Sequence, residues 1–310
     1  MTQPISIPPY LQPGDTVGVV APASRVRYED CVPGLDLLRN DWQLHVLEGK
    51  TLQNEYNQFS GTDEERLADL QALLDNPSVK AIIAARGGYG CSRIMDRLDF
   101  TQFRQSPKWL VGFSDLTALL SQLYTMGYAS IHGPMAKLFT IDGGEMALES
   151  LRKCLFGESI NYQVAAHPFN RTGQATGEVI GGNLCLFAHM NGSDTEIDTT
   201  GKILFIEDIN EYLYTIDRLM VQLKRAGQLR YLAGLVVGQF TDCRDNPSPP
   251  FGKSAYEIIQ EHTEAYNYPV CYNFPVGHVA DNRALYVGME ANLMVSQDTV
   301  HLSYPSPGIA

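Results

Sequence analysis

Ser114 stands where a nucleophile could stand. It follows the apolar run 109–113 and directly precedes a helical pattern over 116–124. A serine on such a strand-to-helix turn has its hydroxyl lifted out of a sheet. The turn also aims the next backbone N–H groups, at a helix N-terminus, toward an oxyanion. The motif is half of G-x-S-x-G, because Gly112 and Ser114 fit while Leu116 replaces the final glycine. The competing reading is a helix N-cap, since serine readily satisfies the free N–H groups of a first turn. Taken alone, the segment favours the cap.

Four further places carry chemistry. Arg86-Gly87-Gly88-Tyr89-Gly90 follows the apolar run 79–85. Three glycines in four positions let a backbone approach a ligand closely and point N–H groups at negative charge. The loop is neither a Walker phosphate loop nor G-x-G-x-x-G, and a plain tight turn is the alternative. Glu207 and Asp208 end the apolar run 204–206, as functional carboxylates or as caps of a following helix. His278 lies in a loop after the strand-like residues 270–274. His132, in Ile-His-Gly-Pro, is its best rival, and His45, His167, His262 and His301 are weaker candidates. A lone histidine is more often structural than functional. No H-x-x-x-H or H-E-x-x-H spacing exists, so no metal site is expected.

These residues need elements to hold them. The first half alternates strand-like runs (16–21, 43–47, 79–85, 109–113) with helical patterns, one around Leu35, Leu37 and Leu38, one over 62–74, one from Gly90 through Ile94 and Leu98, and one over 116–124. Thr62 or Asp63 caps the second, and Leu67, Leu70, Leu73 and Leu74 form its stripe. This β-α-β-α order implies a mostly parallel sheet flanked by helices. Ligands of such sheets bind at the carboxyl ends of the strands. The loops at 21–24, 86–90 and 112–115 would then share one sheet edge, and their convergence is the first argument for a site.

The second half is more β-rich. Strands are expected at 203–206, 235–240 and 270–274, with further strands joined by turns over 285–302. A helix is expected where Ile216, Leu219, Met220 and Leu223 recur at helical spacing, closed by Gly227. The expected organisation is an α/β domain over 1–160 carrying the nucleophile, a linker over 161–176, and a β-rich α/β domain over 177–310 carrying the acid and the histidine.

The chain has 310 residues, 44% hydrophobic and 19% charged, which suits a globular protein. A net charge of −12 argues against nucleic-acid partners and against an anionic membrane surface. The six cysteines are scattered without a C-x-x-C pair, as expected of thiols in a reducing compartment. The first residues show no signal peptide, and no apolar run is long enough to span a membrane.

Seven stretches, in order, carry a resemblance: 13–24 (PGDTVGVVAPAS), 61–70 (GTDEERLADL), 85–90 (ARGGYG), 112–117 (GFSDLT), 181–184 (GGNL), 206–211 (IEDINE) and Gly277-His278. On these the sequence resembles the LD-carboxypeptidases, the muramoyltetrapeptide carboxypeptidase family. The resemblance implies a Ser–Glu–His triad of Ser114, Glu207 and His278. It also implies an oxyanion hole from the backbone N–H groups of Asp115 and Gly88. The implied substrate is a cytoplasmic murein tetrapeptide that loses its terminal D-alanine, and the implied assembly is a homodimer without a cofactor. Arg86 is a candidate for binding the terminal carboxylate. The site is expected between the two domains, where small-molecule clefts are common. The adjacency of Glu207 and Asp208 leaves open which of them orients His278.

Two other readings compete. Related microcin-immunity proteins cleave acyl-adenylate-like amides and look suited to stacking an adenine on an indole. Here the only tryptophans are Trp42 and Trp109, both in the first half and both expected in strands. The other reading is a non-catalytic α/β module that binds a nucleotide or peptide through Gly87-Gly88.

Overall fold

The computed structural model describes residues 4–305. They form two compact units. One runs through Glu158 and includes Ala280–Tyr286, and the other comprises Ser159–Val279 and the residues from Val287 on.

In the first unit, strands and helices alternate as β1 (Thr16–Val20), α1 (Tyr28–Asn40), β2 (His45–Glu48), α2 (Asp63–Asp75), β3 (Val79–Ala84), α3 (Thr101–Gln105), β4 (Trp109–Gly112), α4 (Thr117–Thr125), β5 (Ser130–His132) and α5 (Glu145–Phe156). Valine and isoleucine fill the central strands, which are buried almost throughout, as befits a sheet covered on both faces. The strands β2, β1, β3, β4 and β5 run parallel in that spatial order. Helix α2 starts at a capping box: Thr62 Oγ1 accepts from the Glu65 N–H at 3.2 Å, and Glu65 Oε2 accepts from the Thr62 N–H at 2.8 Å.

The helix expected after Gly90 is instead two short 3₁₀ turns, Cys91–Arg93 and Met95–Arg97. Their N–H groups bond three residues back, Arg93 to Gly90 and Ile94 to Cys91. The Cys91 N–H is diverted to a side chain, Asp115 Oδ2. Trp42 lies in the turn after α1 rather than in a strand.

In the second unit, β6 (Asn161–Ala165), β7 (Gly173–Asn183), α6 (Leu184–His189), β8 (Ile203–Ile209), α7 (Leu213–Arg225), β9 (Gly234–Thr241), α8 (Ala255–Thr263) and β10 (Val270–Cys271) follow in order. Strand β11 (Leu285–Val287) joins the sheet of the first unit beside β5, and β12 (Glu290–Val295) and β13 (Thr299–Ser303) end the chain's described structure. The sheet order is β10-β9-β8-β7-β12-β13-β6. Its first four strands are parallel, and the rest is an antiparallel meander. Residues 161–176, read as a linker, hold β6 and the start of β7, paired into this sheet. Among the described residues, no helix is long and apolar enough to cross a membrane.

Candidate active site

The parallel register of the first sheet sends three loops off one edge: Val20 pairs with Ala84, and β4 lies beside β3. Ser114 follows β4 and has a left-handed backbone, φ 63°. Serine seldom adopts this conformation, which costs about 1–3 kcal/mol and concentrates at functional turns. The short turn Ser114–Leu116 leads into α4, and no side chain caps either element. Ser114 therefore does not act as the helix cap. Leu116, two residues on, is fully buried.

The glycine loop lies against this turn. A Cβ built on Gly87 would stand 3.0 Å from Ser114 Cβ and 3.3 Å from its Oγ. Gly88 has φ +103°, and a Cβ there would fall 2.3 Å from Ser24 Oγ. Ser24, on the loop after β1, donates its N–H to the Gly87 carbonyl at 3.2 Å and accepts the Tyr89 N–H at 3.1 Å. Neither the Asp115 nor the Gly88 amide N–H has an acceptor among the described residues. Two free donors beside a hydroxyl are what an oxyanion hole requires.

Arg66 lies in the 61–70 stretch, and its residue type alone marks no role for it. It is fully buried, and its Nη1 donates to the Pro22 carbonyl at 2.6 Å and the Gly90 carbonyl at 2.9 Å, while Nη2 pairs with Asp63. It thus ties the loop after β1 to the glycine loop. Arg86 is half-buried, and its Nη1 donates to the Arg25 carbonyl at 2.6 Å. With Arg25, Arg27 and Tyr28 it lines a cleft of about 850 Å³ in this unit.

In the second unit, Glu207 lies in β8 and is fully buried. Its Oε2 bonds His278 Nδ1 at 2.7 Å. The pair leaves Nε2 as the nitrogen able to take a proton from a substrate or nucleophile. Gly277 packs on the carboxylate, with φ +122° and a would-be Cβ 2.9 Å from Glu207 Oε2. A side chain there would displace the acid.

Asp208, the next residue, takes different partners. It accepts from Asn183 Nδ2 at 2.8 Å and from the Cys185 N–H at 3.0 Å. Burial, reinforced by the charge of Glu207, pushes its pKa up to about 7. The neighbouring carboxylates are thus distinguished: Glu207 bonds the imidazole, and Asp208 holds Asn183 and the start of α6 at Cys185. His132, the rival imidazole, is fully buried in β5 with Nε2 3.3 Å from Asn282 Oδ1. His262 is held by Asp217 at 2.8 Å. Among the described residues, no three His, Cys, Asp or Glu side chains cluster as a metal ion would need.

Comparison with known proteins places this architecture in a class. Residues 17–133 match the LD-carboxypeptidase N-terminal domain, and residues 176–293 match the LD-carboxypeptidase C-terminal domain. The chain belongs to the LD-carboxypeptidase family and is a peptidase. It is 35% identical to the probable murein peptide carboxypeptidase of Bacillus subtilis, over 94% of this chain and 92% of that one. It is 32% identical to the murein tetrapeptide carboxypeptidase of Pseudomonas aeruginosa, over 89% and 92%. The crystal structure of muramoyltetrapeptide carboxypeptidase from Oxalobacter formigenes superposes with a TM-score of 0.85 at 28% identity, covering 94% of this chain and 99% of that one. The microcin C7 self-immunity protein MccF of Escherichia coli shares 26% identity over 94% of this chain and 93% of its own.

Proposed function

We propose that this chain is a serine carboxypeptidase that cuts the L,D-peptide bond before the terminal D-alanine of murein tetrapeptides. The observation that carries the reading is Ser114 itself, held at φ 63° at the end of β4 with two unclaimed N–H groups beside it. His278 Nε2, with Nδ1 fixed on Glu207, removes the Ser114 proton. Ser114 Oγ then attacks the peptide carbonyl, and the N–H groups of Asp115 and Gly88 take the oxyanion. The C–N bond breaks as His278 returns the proton to the departing amine. Water, deprotonated by His278, clears the acyl-enzyme and restores the serine. Arg86 takes the free carboxylate of the substrate. The names of the relatives at 32–35% identity support the substrate.

The microcin-immunity reading has less support. Both indoles are packed in the core, Trp109 beside Tyr10 and Trp42 beside Phe139. Neither is placed to stack a base.

The test is incubation with a muramoyl tetrapeptide and mass spectrometry of the products. Loss of one alanine, absent with Ser114→Ala, is the expected result. An intact tetrapeptide with a cleaved acyl-adenylate analogue would transfer the assignment to the immunity class. By the family resemblance the protein acts in the cytoplasm as a homodimer, which fractionation and sedimentation measure.

A further inference from the structure

We propose that the Asp115 side chain is a positioning residue that sets both donors of the oxyanion hole at once. The proposal rests on the reading of Ser114 as nucleophile. The backbone N–H of Asp115 is one donor. Its carboxylate turns back into the unit, where it is fully buried, and Oδ2 accepts the Cys91 N–H at 2.7 Å. Cys91 is the residue immediately after the glycine loop, whose Gly88 N–H is the other donor.

The loop is fixed at four points: the Gly87 carbonyl and Tyr89 N–H by Ser24, the Gly90 carbonyl by Arg66, and the Cys91 N–H by Asp115. Ser24 and Arg66 anchor it to β1 and α2. Among the described residues, Asp115 alone hydrogen-bonds it to the turn that carries Ser114. The distance between the two donors is therefore set by one short side chain rather than by the sum of several loops. The cost is a carboxylate kept from water, with burial holding its pKa above the usual range. A surface loop needs no such anchor. An oxyanion hole does, because a misplacement near 1 Å costs about a hundredfold in rate.

The test compares three variants with the wild type on a murein tetrapeptide. Asp115→Ala deletes the anchor and is expected to lower kcat about 30- to 100-fold with KM within threefold, since the oxyanion forms only in the transition state. Asp115→Asn keeps an oxygen acceptor for the Cys91 N–H and is expected to restore kcat to within about fivefold of wild type. Cys91→Pro removes the donor at a position where proline fits a first helical turn, and it reproduces the Asp115→Ala loss should that variant fail to fold. A folded Asp115→Ala or Cys91→Pro with kcat within threefold of wild type overturns the proposal. So does an Asp115→Asn as impaired as Asp115→Ala. Labelling by a fluorophosphonate distinguishes the underlying reading. Wild-type protein unlabelled at Ser114 overturns both claims, whereas labelled wild type with unimpaired Asp115→Ala overturns the positioning role alone.

Discussion

The Ser114 turn of the first unit and the Glu207–His278 pair of the second are built on one plan and differ in where the cost falls. Each places its key residue at the carboxyl end of a parallel strand, Ser114 after β4 and Glu207 in β8. Each follows it with a buried aspartate that accepts a cysteine N–H from the end of a glycine-containing segment, Asp115 from Cys91 and Asp208 from Cys185. Yet Ser114 is only half-buried and has a left-handed backbone, while Glu207 is fully buried, has no left-handed φ and sits where the register of β8 against β9 shifts. If Ser114 is the nucleophile proposed above, it must be reached by substrate, and its cost is stored in a dihedral. An orienting acid must be shielded from water to hold an imidazole, so its cost is desolvation.

Removing the reacting groups gives the largest expected effects. Ser114→Ala and His278→Ala should each lower kcat by about 10⁴- to 10⁶-fold with the fold intact, and the double variant should be no worse than either single one. Additive losses in that cycle would break the idea that the two units serve one reaction. Glu207→Gln should cost about 10²- to 10⁴-fold, because a carboxamide can hold the imidazole in the wrong tautomer. Asp208→Asn should leave kcat within about threefold. Equal losses at 207 and 208 would erase the distinction between them.

Smaller changes probe the packing around each residue. Gly277→Ala adds a Cβ 2.9 Å from Glu207 Oε2 at φ +122°. We expect kcat to fall about 10- to 100-fold, with about 1–3 kcal/mol of destabilisation in urea unfolding. Gly87→Ala adds a Cβ 3.0 Å from Ser114 Cβ, at a backbone φ outside the left-handed region. Its loss should be milder, about tenfold, with little change in stability. A reversed order would place the tighter constraint in the first unit.

Much of this plan is legible in the sequence. The apolar runs ending at Ala85 and Phe113 mark β3 and β4 within a residue, because buried parallel strands read as unbroken hydrophobic stretches. Ser114, the glycine loop, Glu207 and His278 could all be picked out by their place after such runs. What could not be read is what each side chain faces. Asp115 and Asp208 look like polar residues beside more interesting neighbours, and only the folded chain shows them buried. Arg66 sits in a helix whose leucine stripe predicts its buried face, but an arginine gives no sign that it will be spent on two loop carbonyls. The helix expected after Gly90 is two 3₁₀ turns instead, with N–H groups bonded three residues back, and nothing in the residue pattern of 91–98 marks that difference.

The buried aspartate of the second unit also predicts a pH dependence. Burial holds the folded pKa of Asp208 up at about 7, above the ordinary aspartate value of 3.8. Between those values the unfolded chain has released this proton while the folded chain still holds it. Stability from this group therefore falls as pH rises, by at most about 1.4 kcal/mol per unit, and levels off above pH 7. Asp63, whose pKa is lowered chiefly by its hydrogen bond to Arg93, has the opposite sign: its contribution is lost only on acidification below the ordinary carboxylate range. From pH 5 to 7 the aspartate of β8 should dominate the difference between wild type and Asp208→Asn. The variant's urea-unfolding free energy should decline less steeply over that interval, by about 1–2 kcal/mol in total. Parallel profiles would mean that Asp208 is ionised in the folded protein at pH 5. Its bonds from Asn183 and the Cys185 N–H would then outweigh the desolvation that burial imposes on the carboxylate.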